Sequence, residues 1–404
     1  KNYLGIRKNL MSKIKRVLIS VSDKKDLKKI LKVFKKFNIE VISSGGTYKN
    51  INKLGFKSKE VSALTKFPEI LGGRVKTLHP NVYGGILNQR NNKIHKKNLE
   101  ENKISNIDMV IGNFYPFEKI LQKTTDHKKI IENIDIGGPS MVRAAAKNYN
   151  HVTVITSFNQ YDELIIDLEK NKGSISFDFR KKMAKIAFSE TGHYDSLVCN
   201  YFNKISKDNF PDKKFDSFNL SKKLRYGENP HQEGYLYTSK NLALKKLNGK
   251  ELSFNNYNDI FSALKISKSF PKNIGTVVIK HTNPCGVSIK KNKLQSLRTA
   301  LKCDPISSFG GIISCNYKIN KKIAEELNKI FLEVVIGNGY DKEAFNILKK
   351  KKNLRIIDAK NLLINDSQNF KYNFNSLLVQ SSDDKVFLPK DFKIVSKLKP
   401  SKET

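Results

Sequence analysis

The apolar, β-branched run Arg16–Val21 (RVLISV) ends in Ser22-Asp23 and gives way to Leu27, Ile30, Leu31, Phe34 and Phe37 at helical spacing. A second run, Ile39–Ser44, ends in Ser43-Ser44-Gly45-Gly46-Thr47, and Thr47 opens another amphipathic segment. Asp108–Asn113 (DMVIGN) and Val152–Thr156 (VTVIT) repeat the pattern, each followed by a helical stretch. No other feature limits the fold as much. Parallel strands buried on both faces read as continuous apolar runs, and their crossovers are helical. The expectation is an α/β chain with a doubly wound parallel sheet that gathers ligand groups at the carboxyl ends of its strands.

The segments at those ends carry chemistry. Gly72–Pro80 (GGRVKTLHP) sets Arg74, Lys76 and His79 behind two glycines. Glycines let backbone amides approach a ligand, Arg offers a planar fork to phosphate oxygens, and Lys adds a movable charge. A solvated basic loop is the bland alternative. Ser43–Thr47 has the form strand, glycine turn, helix start, in which free amides and the helix dipole hold a phosphate. Asn113–Phe117 (NFYPF) and Asp135–Pro139 (DIGGP) follow in order.

Length and composition bound the rest. A chain of 404 residues with 39% hydrophobic residues suits two domains with sizeable cores. No run of eighteen apolar residues occurs, so no membrane helix is expected, and KNYLGIRKNLM lacks the apolar middle of a secretory signal. Met11 is the expected start, with residues 1–10 an extension. Cys199, Cys285, Cys303 and Cys315 form no CxxC pair, which fits reduced thiols in the cytoplasm and no metal site. The formal charge of +37 raises the question of nucleic acid, but the lysines are spread evenly and no aromatic-interleaved basic arm occurs. Only nine of the 75 basic residues are Arg, and Arg74, Arg143 and Arg225 fall inside motifs. No nucleic-acid partner is expected.

Residues 157–206 read as mostly helical, and Asp208–Ser221, with Pro211 and little periodicity, reads as a linker. The second half carries Leu224–Gln232 (LRYGENPHQ), Leu247–Asp259 (LNGKELSFNNYND), Val277–Val287 (VVIKHTNPCGV), Asp304–Ile312 (DPISSFGGI) and Phe331–Ile336 (FLEVVI). In IKHTNPCG, His281 lies after an apolar strand and before Asn283-Pro284-Cys285-Gly286, where a turn is expected; Cys285 reads as a small buried hydrophobe.

Taken together, these motifs resemble the purine-biosynthesis family that joins an IMP cyclohydrolase domain to an AICAR transformylase domain. The resemblance implies a methylglyoxal-synthase-like domain over 11–206, a linker over 207–221, and a cytidine-deaminase-like α/β transformylase domain over 222–404. It assigns Ser22, Lys24, Ser44, Gly46, Thr47, Arg74 and Thr77 to substrate binding in the first domain. Lys76, Tyr115, Asp135 and Lys147 would act around the closing ring. In the second domain His281 would be the general base and Lys280 its partner, with Arg225, Tyr226, Gly227, Asn255, Gly310 and Glu333 contacting substrate. The implied small molecules are AICAR, formyl-AICAR and 10-formyltetrahydrofolate, the last as cosubstrate, with no tightly bound cofactor and a homodimeric assembly. Two departures stand out. Helices with a KSN and a GQ-S-R motif are expected beyond Thr404, so the second domain reads as incomplete and its formyl transfer as impaired, with the cyclohydrolase intact. Gly337-Asn338 stands where related chains have Ala-Pro. The rival from another class is a nucleotide-binding regulatory module without catalysis; Tyr115, Asp135 and Lys147 together favour the enzyme.

Overall fold

The structure, a computed structural model, describes residues 11–239, 242–362, 368–383, 391, 393–398 and 401. Residues 1–10, expected above to be an extension, lie outside them, as do residues 402–404. The chain forms two compact units, Lys1–Ser217 and Phe218–Thr404.

In the first unit β1 (Arg16–Val21), β2 (Glu40–Ser43), β3 (Lys59–Glu60), β4 (Met109–Asn113) and β5 (Thr153–Ile155) form one sheet. Its order is β3-β2-β1-β4-β5, and every pairing is parallel. Leu18 lies opposite Ile42 on one side and Val110 on the other. Val17, Leu18 and Ile19 are all fully buried, which is why β1 reads as an unbroken apolar run. Helix α1 (Leu27–Lys36) buries Leu27, Ile30, Leu31, Val33 and Phe34. Helix α2 (Gly45–Lys53) begins at Gly45, so the two glycines form its first turn. Helix α3 (Pro80–Leu87) starts with proline at its first position, after His79, whose Nδ1 accepts from Asn81 N at 3.1 Å. Helix α4 (Gly137–Lys147) buries Met141, Val142 and three alanines, and α5 (Phe177–Ile205) is a single long helix.

The second unit is built on a mixed sheet. Its strands are β6 (Lys245–Asn248), β7 (Gly275–Lys280), β8 (Asn283–Ile289), β9 (Ile312–Cys315), β10 (Val334–Gly337) and β11 (Arg355–Asp358), in the order β6-β11-β10-β9-β7-β8. β9, β10 and β11 are parallel; β7 runs antiparallel to both neighbours, and β6 to β11. Period-2 alternation assigns the faces. Ile312, Val334 and Ile357 pack with Ile260, Ala263 and Leu264 of α6 (Phe254–Ser269). Their neighbours Ile313, Val335 and Ile356 pack on the other face with Leu297 of α7 (Lys293–Cys303), Leu327 of α8 (Lys321–Asn328) and Leu348 of α9 (Lys342–Leu348).

Two local readings of the sequence are corrected. The last residues of the expected linker, Asn219–Ser221, already belong to a strand, Asn219–Lys223, paired with Tyr235–Thr238; nearly all of it is exposed, so it carries no apolar alternation. The turn expected at Asn283–Gly286 falls instead at His281-Thr282, because Lys280 pairs directly with Asn283 and Pro284 already sits in β8.

Candidate active sites

A cavity of about 850 Å³ opens at the carboxyl edge of the first sheet. Three neighbouring strands feed it: Ser22 and Lys24 follow β1, Ser44, Gly46 and Thr47 follow β2, and Asn113 and Tyr115 end β4. Arg74, Lys76 and Thr77 come from the loop before α3, and Asp135 from the loop into α4. The Gly72–Pro80 and Asp135–Pro139 motifs thus follow no strand; loops entered from helices fold over the sheet edge and bring them in.

The cavity floor is fixed by hydrogen bonds. Asn113 Oδ1 accepts from Ser22 N at 2.7 Å and Asp23 N at 3.1 Å, while its Nδ2 donates to Asp23 O at 2.9 Å, tying the loop after β1 to the end of β4. Thr47 Oγ1 accepts from Val21 N at 3.1 Å and donates to Val21 O at 3.0 Å. Its hydroxyl is therefore committed to pinning α2 against β1. What Thr47 offers a ligand is its place in the first turn of α2, where early amides have no helical carbonyl to bond.

The charged groups are paired. Lys76 Nζ lies 2.7 Å from Glu69 Oε1, and Arg74 pairs with Glu132, its Nε donating to Oε1 at 3.2 Å. Asp135 Oδ1 accepts from Gly138 N at 2.8 Å, and Asp135 N donates to Tyr194 Oη at 2.7 Å. Asp135 Oδ1 thus ties down the first turn of α4 from the loop before it. Burial pushes its carboxyl above the ordinary range, opposed by the amides of Gly138 and Tyr115. Tyr115 stands over half exposed at the rim. Lys147 does not join them. It is exposed at the far end of α4, ten residues after Gly137 and so about 15 Å along the axis at helical rise. Glu69, Asn113 and Glu132 are absent from the residues expected from the sequence; only Asn113 falls inside a quoted site motif, and ion pairs made by loop residues leave no local pattern.

In the second unit a cavity of about 690 Å³ is lined by Arg225, Tyr226, Asn255, Lys280, His281, Gly310 and Glu333, all expected from the sequence. Gly227 is not among them. It is buried in a turn, with its amide donating to Gln232 O at 2.7 Å and Gln232 Cβ only 2.8 Å from where its own Cβ would be. Asn256, Asp259 and Arg355 are among the residues added. Glu333 Oε2 accepts from Asn256 Nδ2 at 2.9 Å and lies 3.5 Å from Arg355 Nη1. Lys280 Nζ donates to Phe309 O at 2.7 Å.

His281 and Thr282 both have left-handed backbone, with φ of 88° and 65°. A two-residue hairpin of this kind favours Asn-Gly, and non-glycine residues there carry strain on the order of 1–3 kcal/mol each. Asp259 Oδ1 holds the turn by accepting from Thr282 N at 2.7 Å, and Asn283 Nδ2 donates to His281 O at 2.8 Å. The strained turn presents the exposed His281 at the cavity. Cys285 is half-buried, its Sγ donating to Val278 O at 3.6 Å, and burial raises its thiol.

Comparison with known proteins adds family to geometry. Residues 145–404 match the family described as the AICARFT/IMPCHase bienzyme, and residues 26–140 match the MGS-like domain. The bifunctional purine biosynthesis protein PurH of Leptospira biflexa is 43% identical over 97% of this chain and 77% of its own length. That of Clostridioides difficile is 42% identical, covering 96% of this chain and 77% of its own length. Among solved structures, the crystal structure of ForH covers 47% of this chain and 99% of that chain, at 31% identity and a TM-score of 0.42. The order of the motifs, the two families matched and the identity over nearly the whole chain make this protein a member of the AICARFT/IMPCHase bienzyme family, the enzymes of the last two steps of IMP synthesis.

Proposed function

We propose that the first cavity closes formyl-AICAR to IMP and that the second transfers a formyl group from 10-formyltetrahydrofolate to AICAR. The reading rests on one observation above all: Ser22, Lys24, Ser44, Gly46 and Thr47, from the ends of β1 and β2, share one cavity with Lys76, Tyr115 and Asp135. Ring closure forms a bond from the carboxamide nitrogen to the formyl carbon, and the C–O bond breaks so that the formyl oxygen leaves as water with one proton from that nitrogen and one from the formamide N–H. The reaction is intramolecular, so positioning supplies much of the rate. Lys76 polarises the formyl oxygen, Asp135 receives the nitrogen proton, and Tyr115 relays a proton toward the departing oxygen. Its raised affinity for a proton suits Asp135 to that task. No step is assigned to Lys147, which lies outside the cavity. In the second cavity His281 takes a proton from the attacking AICAR amine, and Lys280 supplies one to the departing folate nitrogen. A cytoplasmic homodimer completes the reading, supported by the family and by four free cysteines.

A pair of variants tests the first cavity. Arg74→Ala removes a planar charge-assisted contact to phosphate, so KM for formyl-AICAR should rise roughly tenfold with kcat little changed. Its exposed pair with Glu132 is too weak to compete with a doubly charged phosphate. Tyr115→Phe deletes only a hydroxyl, so kcat should fall with IMP affinity nearly intact. Steady-state kinetics with an IMP titration reads both; an unchanged KM in the first or collapsed IMP affinity in the second removes that residue's assignment.

A further inference from the structure

The Lys76 ammonium sits in a notch. Gly45, with φ of 47°, flanks it so closely that a Cβ there would lie 2.5 Å from Nζ. Gly73, with φ of 93°, flanks it as well; a Cβ there would lie 3.4 Å from Lys76 Nζ and 2.5 Å from Glu69 Oε1. Glu69 closes the notch with its 2.7 Å contact to Nζ. A lysine side chain has four rotatable bonds, and nothing in its own backbone dictates where the ammonium points. Here two glycines in left-handed conformation make the space, and one carboxylate chooses the position within it.

Resting on the cyclohydrolase reading of the first cavity, we propose that Glu69 is a positioning residue for ring closure. It holds the Lys76 ammonium in the Gly45–Gly73 notch, where it meets the formyl oxygen, and it does so without touching the substrate. Two physical arguments favour this over an incidental surface pair. The Lys76 side chain is only 27% exposed, which screens the pair less than an open one. A carboxylate also fixes a direction that a free ammonium lacks, and near-attack geometry is sensitive to displacements of about 1 Å.

The test is a double-mutant cycle on the full chain, with kcat and KM for formyl-AICAR and Kd for IMP measured on each preparation. Glu69→Gln keeps the size of the side chain and removes its charge. It should lower kcat about ten- to a hundredfold with KM and IMP affinity nearly unchanged. Glu69→Asp should fall between wild type and Glu69→Gln, because the charge remains with shorter reach. Glu69→Gln in a Lys76→Ala background should cost nothing further, since there is no ammonium left to place. Retained IMP binding shows that each variant is folded. Additive losses, an unchanged kcat in Glu69→Gln, or a rise in activity from removing a competing carboxylate would each overturn the proposal. If wild type does not cyclise or Lys76→Ala is as active as wild type, the reading beneath it fails instead.

Discussion

Asp135→Asn is expected to lower turnover of formyl-AICAR by at least about a hundredfold and yet leave the first unit at least as stable as wild type at pH 7.5. Both halves follow from the burial that raises the Asp135 carboxyl. A carboxylate kept from full solvation holds a proton more tightly and is a better base near neutrality, whereas an amide cannot accept the proton at all. For stability the sign is fixed by linkage. A carboxyl whose affinity is raised by folding contributes its stability below its unfolded pKa and loses it as pH rises through the folded one. At pH 7.5 the ionised group is therefore a burden that asparagine lacks, while the amide oxygen can still accept from Gly138 N. The stability gap should close as pH falls through the raised carboxyl range. The acid limb of kcat/KM in wild type should lie above the ordinary carboxylate range for the same reason. Urea midpoints at pH 4 and 7.5, followed by circular dichroism, together with a pH profile of kcat/KM, check both; a variant less stable at pH 7.5 by the same margin at both pH values would show a merely structural carboxylate.

Gly286→Ala should be among the most damaging single-methyl additions in the second unit. Gly286 pairs with Val278 in the hairpin that carries His281, and α7 passes directly behind it. A Cβ there would lie 2.0 Å from Ala300 O and 3.0 Å from Ala300 C, so backbone, not a flexible side-chain end, must move. Separating β8 from α7 should cost about 1–3 kcal/mol or more. The same shift would displace the strained His281-Thr282 turn. Val287→Ala, at the neighbouring and partly exposed position, is the control, expected within about 0.5 kcal/mol of wild type. Denaturant unfolding followed by circular dichroism compares the two; equal stabilities would show that β8 and α7 separate freely.

The glycine of the VVIKHTNPCGV motif thus works by packing, and its cysteine lies half-buried against β7, while Lys280 and His281 line the second cavity. Sequence does not separate these roles. It shows that a glycine is present, not which backbone approaches it. The parallel sheet of the first unit was legible because both faces are covered, which leaves unbroken apolar runs such as Val17–Ile19. Most of the first cavity was legible too, since Ser22, Ser44 and Tyr115 sit where adjacent parallel strands end. Lys147 lies apart from that cavity for a reason the sequence does not display: Asp135 and Lys147 share one stretch of sequence, but a helix carries its two ends apart. Glu69, Asn256 and Arg355 could not be found, because each acts through a partner distant in the chain or fixed by side-chain geometry alone.

The most direct measurement is ring closure itself. Purified chain, supplied with formyl-AICAR and no cofactor, should convert it to IMP with saturable kinetics followed by ultraviolet absorbance. Asp135→Asn should bind IMP in calorimetry yet fail to produce it. A wild-type chain that binds IMP tightly and leaves formyl-AICAR unchanged would contradict catalysis in the first cavity and point to a nucleotide-binding regulatory module.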